Sequence, residues 1–158
     1  MHTKLNQTYR LYKPMTDNQI LEKASEIIAT KFLSADMFTE ARATKDYLSC
    51  KLANYEREVF AVMLLNTQHQ LIEYRELFFG SIDSATVHPR EVVKAVLEVN
   101  ASAVIFAHNH PSGIAEPSEA DKRITRKLID ALGLIDVRVL DHVVVGKTPV
   151  SFAERGLI

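Results

Sequence analysis

A run of β-prone apolar residues, Ala103-Val104-Ile105-Phe106-Ala107, passes without a break into His108-Asn109-His110-Pro111. A short, continuously apolar run of this kind predicts a strand buried on both faces, which requires other layers of structure above and below it. The two histidines then stand at the C-terminal end of that strand. Residues two apart in a strand point to the same face, with Cα atoms roughly 6.6 Å apart, close enough for two imidazoles to converge on one ion. The next segment, Pro111-Ser112-Gly113-Ile114-Ala115-Glu116-Pro117, is dense in turn formers and predicts a loop. A helix is predicted from Ser118, a good N-cap, because Ile124, Leu128 and Leu132 repeat at helical spacing with Ile129 and Ala131 alongside. Asp121 falls in its first turn, beside the strand end. His108, His110 and Asp121 thus form a candidate ligand set with a fourth tetrahedral position open to water, the pattern of a catalytic rather than a structural zinc site.

Each part of this pattern also has an ordinary reading. Ser118-x-x-Asp121 is a capping arrangement, Pro111-Ser112-Gly113 is a loop, and a single histidine in a folded protein is usually a polar residue with a partner. It is the combination, two histidines on one strand face with a helix-start aspartate at this offset, that points to a metal. Two look-alikes fail. In HNH nucleases the three named residues are dispersed along a ββα unit, whereas here they are adjacent. A zinc nucleobase deaminase needs H-x-E with a downstream P-C-x-x-C, and this chain has one cysteine, Cys50.

The remainder of the chain is compatible with one compact enzyme domain. Its 158 residues, 47% of them apolar, are enough for one core and too few for two comfortable domains. No apolar run approaches the ~18 residues of a membrane span and no signal-peptide core is present, so a cytoplasmic protein is expected. With one cysteine there is no internal disulfide, and Cys50 is read as an inert small residue on a helix. A formal net charge of −1 argues against a strongly electrostatic, generic nucleic-acid binder, though not against a local basic patch.

Periodicity supplies the other elements. Residues 1–15 are polar and irregular, frayed or used in contacts between subunits, which leaves a homo-oligomer open. Thr16 or Asp17 should cap a helix with the apolar face Ile20, Leu21, Ala24, Ile27, Ile28 and Phe32; after a loop at Ser34–Arg42, Thr44 should cap a second helix through Leu48 and Leu52. Val59 to Asn66 predicts a buried strand, Thr67 to Gln70 a turn, and Leu71 to Phe79 its antiparallel partner, closed by Gly80. Pro89 should open a helix through Val99, and further strands are expected near Val137–Val145 and Val150–Phe152. The result is an α/β fold with a mixed sheet and helices on both faces. His142 has two readings, a hydrogen-bonded core histidine, which is preferred, or a residue orienting a zinc ligand. His88 is expected at a helix start, and His2 and His69 in solvent. Asn109 alternates to the opposite strand face and is given a structural role.

At the metal motif the chain resembles a known family. His108-x-His110, seven residues, then Ser118-x-x-Asp121 matches the JAMM signature of MPN-type metalloproteases, the zinc enzymes that cleave isopeptide bonds to ubiquitin-like proteins. The bacterial RadC-like branch is the closer likeness. Its hallmarks stand here as His108-Asn109-His110-Pro111-Ser112-Gly113, as Val87-His88-Pro89-Arg90-Glu91-Val92 and as Leu140-Asp141-His142-Val143-Val144-Val145-Gly146. The resemblance covers about Thr44 to Ile158. Asn109 departs from it, standing where eukaryotic JAMM enzymes usually carry Ser or Thr, and the segment before Thr44 is too short for the helix-hairpin-helix region of longer RadC-like proteins. The resemblance implies a cytidine-deaminase-like α/β/α fold, with residues 1–43 as a short helical extension and 44–158 as the MPN/JAMM-like catalytic domain.

It also implies roles. A metalloprotease needs a carboxylate that is not a ligand, and Glu58 aligns with the segment carrying the acid in the RadC-like pattern, with Glu56, two residues earlier, as the alternative. Zn²⁺ on His108, His110 and Asp121 would lower the pKa of its water toward ~7; Glu58 would take and return the proton, and Ser118 would stabilise the oxyanion. The expected substrate is an extended peptide or protein tail. The competing reading is a non-enzymatic RadC-like module associated with DNA repair or mobile elements.

Overall fold

Two strands make the core. In a computed structural model, describing residues 13–30, 41–80 and 87–158, strands β1 (Val59–Leu65) and β3 (Ala103–Asn109) are buried along their whole length. They pair antiparallel, Phe60 opposite His108 and Leu65 opposite Ala103. The other strands are β2 (Leu71–Phe79), β4 (Arg138–Val145) and β5 (Val150–Ser151). Their order across the sheet is β2-β1-β3-β4-β5, with β3 and β4 parallel and the other neighbours antiparallel. It is the mixed sheet that the sequence predicts.

Alternation along the strands sorts the core into two layers. Val59, Ala61, Met63 and Leu65 of β1 and Ala103, Ile105 and Ala107 of β3 face Tyr47, Leu48 and Leu52 of helix α2 (Ala41–Leu52). Phe60, Val62, Leu64, Val104 and Phe106 face the opposite way. There they meet Val92 and Val96 of α3 (Pro89–Glu98) and Leu128 and Leu132 of α4 (Glu119–Gly133). The described residues therefore form a three-layer α/β/α unit.

Details of the N-terminal helices depart from expectation. Thr16 does cap α1 (Asp17–Ile28), in a capping box with Gln19. Its apolar stripe is shallow, however: Ile20 is 48% exposed and Ser25 is the fully buried residue, because α1 packs mainly on α2. Phe32 lies outside the described residues. Thr44 is not a cap; it is a buried residue inside α2, which already runs from Ala41. β1 ends at Leu65, and the Asn66 side chain instead accepts the backbone N–H groups of Gln68 and Gln70 to shape the turn. His69, expected in solvent, is half-buried, and its ring Nε2 lies 2.7 Å from the Arg138 guanidinium. His88 does stand at the start of α3, with Pro89 in its first turn.

Candidate metal centre

β3 delivers His108 to the α3/α4 face, since it pairs with Phe60 and follows Phe106 by two residues. The His108 side chain is fully buried. His110 lies one residue beyond the strand, and its N–H still bonds to the Val145 carbonyl at 2.8 Å, which keeps it on the ladder with β4. The loop that follows is clipped to the turn after β4: Gly113 donates to the His110 carbonyl and Lys147 to the Gly113 carbonyl, each at 2.9 Å. A Cβ on Gly146 would come within 2.6 Å of the Gly113 oxygen, so only glycine permits this approach.

The loop returns at Ser118, and here both readings of Ser118-x-x-Asp121 hold at once. The Ser118 oxygen accepts the Asp121 N–H at 3.1 Å, and an Asp121 oxygen accepts the Ser118 N–H at 2.7 Å, a reciprocal cap on α4. The same carboxylate faces the histidines, 3.3 Å from His108 Nε2 and 3.5 Å from His110 Nε2. One ligand atom from each of His108, His110 and Asp121 lies within 4.8 Å of the other two. The sequence-predicted ligands are thus brought together as a group that could hold a metal ion.

The donor set suits one. The His110 ring Nδ1 is 2.8 Å from the Ile114 carbonyl, an acceptor only, so Nδ1 carries a proton and Nε2 turns inward toward His108 Nε2 at 3.0 Å. Asp121 raises the His110 pKa above its usual value against the opposing effect of burial, with the Ile114 carbonyl and Glu58 adding to the rise. Burial alone would push the Asp121 carboxyl up, but the neighbouring His108 and His110 rings outweigh it and hold the group far below the aspartate range. Three Lewis-basic atoms converge on one point, an arrangement that could hold a divalent cation.

Around this group, Asn109 points to the opposite face, as its alternation requires. Its side-chain oxygen accepts the Val59 N–H at 2.8 Å, and its amide donates to the carbonyls of Arg57 at 3.0 Å and Tyr55 at 3.3 Å. The segment it grips carries Glu58. Continuing the β1–β3 register by two residues sets Glu58 opposite His110, where its charge is felt by that ring. Glu58 is half-buried and Glu56 is exposed. Ser118, which caps the helix that carries Asp121, is exposed.

His142 is the hydrogen-bonded core histidine that the sequence reading prefers. It is fully buried between Phe60, Phe106 and Phe152, stacked on the last at 4.7 Å. Its Nε2 is 2.8 Å from His108 Nδ1, and its Nδ1 is 2.6 Å from the Thr125 hydroxyl. Burial, reinforced by the neighbouring His108, lowers its pKa well below the ordinary histidine value. Thr125 escaped the sequence reading. The available signal was its position four residues after Asp121, within the buried stripe Asp121, Thr125, Leu128 and Leu132 of α4.

A mixed-sheet α/β/α domain that brings a His-His-Asp group able to hold a metal ion to the end of a central strand is consistent with the JAB/MPN class. A family model described as a RadC-like JAB domain matches residues 38–157, and the chain belongs to that family. Two UPF0758 proteins of Vibrio cholerae are 60% and 57% identical over 148 residues, 94% of this chain and 94% of each relative. A UPF0758 protein of Marinomonas sp. strain MWYL1 is 56% identical over 140 residues, and there the match spans 62% of a longer relative.

Proposed function

We propose that this protein is a zinc-dependent metallohydrolase, a peptidase or isopeptidase whose nucleophile is water. The observation that supports it best is the convergence of His108, His110 and Asp121 within 4.8 Å, with Glu58 opposite His110. Two imidazoles and one carboxylate favour zinc over magnesium or calcium, which prefer all-oxygen sets. Bound there, zinc would supply Lewis acidity and bring the pKa of a coordinated water toward ~7.

The chain's own residues do the rest. Glu58 takes the proton of the attacking water and delivers it to the departing amine. Ser118 already uses an oxygen lone pair to accept the Asp121 N–H, which leaves its O–H to donate to the oxyanion that develops on the scissile carbonyl. In this reading residues 44–158 are the catalytic unit and 1–43 an accessory extension. With seven residues between His110 and Ser118, there is little chain beside the site to clamp a folded partner, so the substrate is an extended peptide or protein tail. Among the described residues no helix is long and apolar enough to cross a membrane, and a cytoplasmic setting fits a chain with a single, half-buried cysteine.

Elemental analysis of the purified chain, joined to a peptide-library hydrolysis assay, tests this. About one zinc per chain and cleavage abolished by chelation are expected. Zinc-free protein with no hydrolysis, joined to sub-micromolar binding of generic duplex DNA at ~150 mM salt, would instead favour the non-enzymatic repair-associated module.

A further inference from the structure

The contacts behind His108 form a circuit whose hydrogen-bond directions can be worked out atom by atom. It begins at the Thr125 hydroxyl, which lies 2.6 Å from the Asp121 carbonyl oxygen and 2.6 Å from His142 Nδ1. A hydroxyl has one proton to give, and a carbonyl oxygen can only accept. An oxygen–oxygen approach this close needs a hydrogen between the atoms, so the Thr125 proton points at Asp121. Toward His142 the Thr125 oxygen is then the acceptor, and His142 Nδ1 must carry a proton. His142 is fully buried against three phenylalanine rings, an environment that disfavours an imidazolium, so its Nε2 is bare. The 2.8 Å contact from that nitrogen to His108 Nδ1 therefore requires the proton on His108 Nδ1. His108 Nε2 is left with its lone pair directed at Asp121 and His110.

We propose that Thr125 and His142 are positioning residues, forming a one-directional buried chain of hydrogen bonds that holds His108 in the tautomer able to ligate a metal. The opposite direction would put a proton on His108 Nε2, at the point where the ligand atoms converge, and would block the site. The carbonyl of Asp121 decides between the two. Asp121 thus stands at both ends of the circuit, its side chain facing His108 and its backbone carbonyl accepting from Thr125, and the circuit ties β3, β4 and α4 together. This inference rests on the metal-site reading, but the tautomers belong to the protein alone.

The test uses the full chain, ¹⁵N-labelled at histidine and stripped of metal, with two-bond ¹⁵N–¹H correlation spectra near neutral pH. His142 and His108 should both show the proton on Nδ1. A His142 protonated on Nε2 would overturn the relay, whether or not the protein binds zinc. Thr125→Val, close in shape, should leave the fold intact, weaken zinc by roughly 10–100-fold in chelator competition and release His142 from a single tautomer. Thr125→Ser should restore both. Wild-type zinc affinity with an unchanged His142 signal in Thr125→Val would overturn the proposal. A wild-type chain that shows the expected tautomers but takes up no zinc would leave the relay standing and sink the hydrolase.

Discussion

The side-chain oxygen of Asn109 accepts the backbone N–H of Val59 at 2.8 Å, so the strand that presents both candidate ligand histidines also fixes the start of its neighbour. With two further bonds from its amide to the carbonyls of Arg57 and Tyr55, the Asn109 side chain carries the contact with β3 beyond Phe60, where the β1–β3 pairing ends. The residue between Arg57 and Val59 is Glu58. Replacing Asn109 by alanine should leave zinc content unchanged, reduce peptide hydrolysis and cost roughly 1–3 kcal/mol in urea denaturation for each buried group left unpaired. Loss of the metal with hydrolysis per bound zinc unaltered would show that Asn109 serves the ligands and not the segment carrying Glu58.

The double variant His108→Ala with His110→Ala should purify without zinc. The wild type should melt at lower temperature after chelation, whereas the variant should be indifferent, because a ligand that binds only the folded state at 100 times its Kd adds about 2.7 kcal/mol. Wild-type zinc in the variant would place the metal elsewhere.

Base and ligand can be separated. Glu58→Gln should keep fold and zinc and lose on the order of 10²–10⁴ in peptide hydrolysis, since an amide cannot carry the proton. Glu56→Gln should be active. If the two variants behave in the reverse way, the base is Glu56; if Glu58→Gln loses zinc, its carboxylate is a ligand.

The predictions above lean on parts of the site that were legible locally. The continuously apolar run into His108, the turn formers after it and the cap at Ser118 each depend on a few adjacent residues, and together they locate the candidate ligand set. The link from His142 to Thr125 was not legible. It exists because β4 pairs parallel to β3 with His142 beside Phe106, and because α4 crosses that face; neither register nor crossing is written in either residue's neighbours. Thr44 was misread for a related reason: a threonine favours a cap, yet burial under the sheet face holds it inside α2.

Asp141, beside His142, faces the other way. One of its oxygens accepts the N–H groups of His142 and Ala153, and the other accepts the Ser151 hydroxyl at 2.6 Å. Burial nevertheless raises its pKa above the usual value. The folded protein therefore takes up this proton at a higher pH than the unfolded chain does. The resulting stabilisation is fully present below the unfolded value and is lost as pH rises through the folded one. Asp141→Asn has no charge to bury, so its stability should gain on that of the wild type as pH rises from about 4 toward neutrality. A difference that stays constant across pH in denaturant titrations would show that the carboxyl is not perturbed. Asp141→Ala should be destabilised throughout, because two backbone donors lose their acceptor.

Substrate form can be tested by offering a folded ubiquitin dimer and an unbiased peptide library, each with Glu58→Gln as control. Cleavage of peptides and not of the dimer is expected. Efficient cleavage of the dimer alone would show that a short loop beside the site suffices to grip a folded partner.

β3 divides two tasks between its faces by parity. Val104, Phe106 and His108 turn one way, toward the candidate metal site, while Ala103, Ile105, Ala107 and Asn109 turn the other, toward the scaffold. Inserting or deleting one residue between Ala103 and His108 would exchange the faces, sending the histidines into the α2 layer and Asn109 into the site. This stretch should accept apolar exchanges of similar volume yet reject any change in its length, a rule that deep insertion and deletion scanning would display as a narrow forbidden window in an otherwise permissive gene.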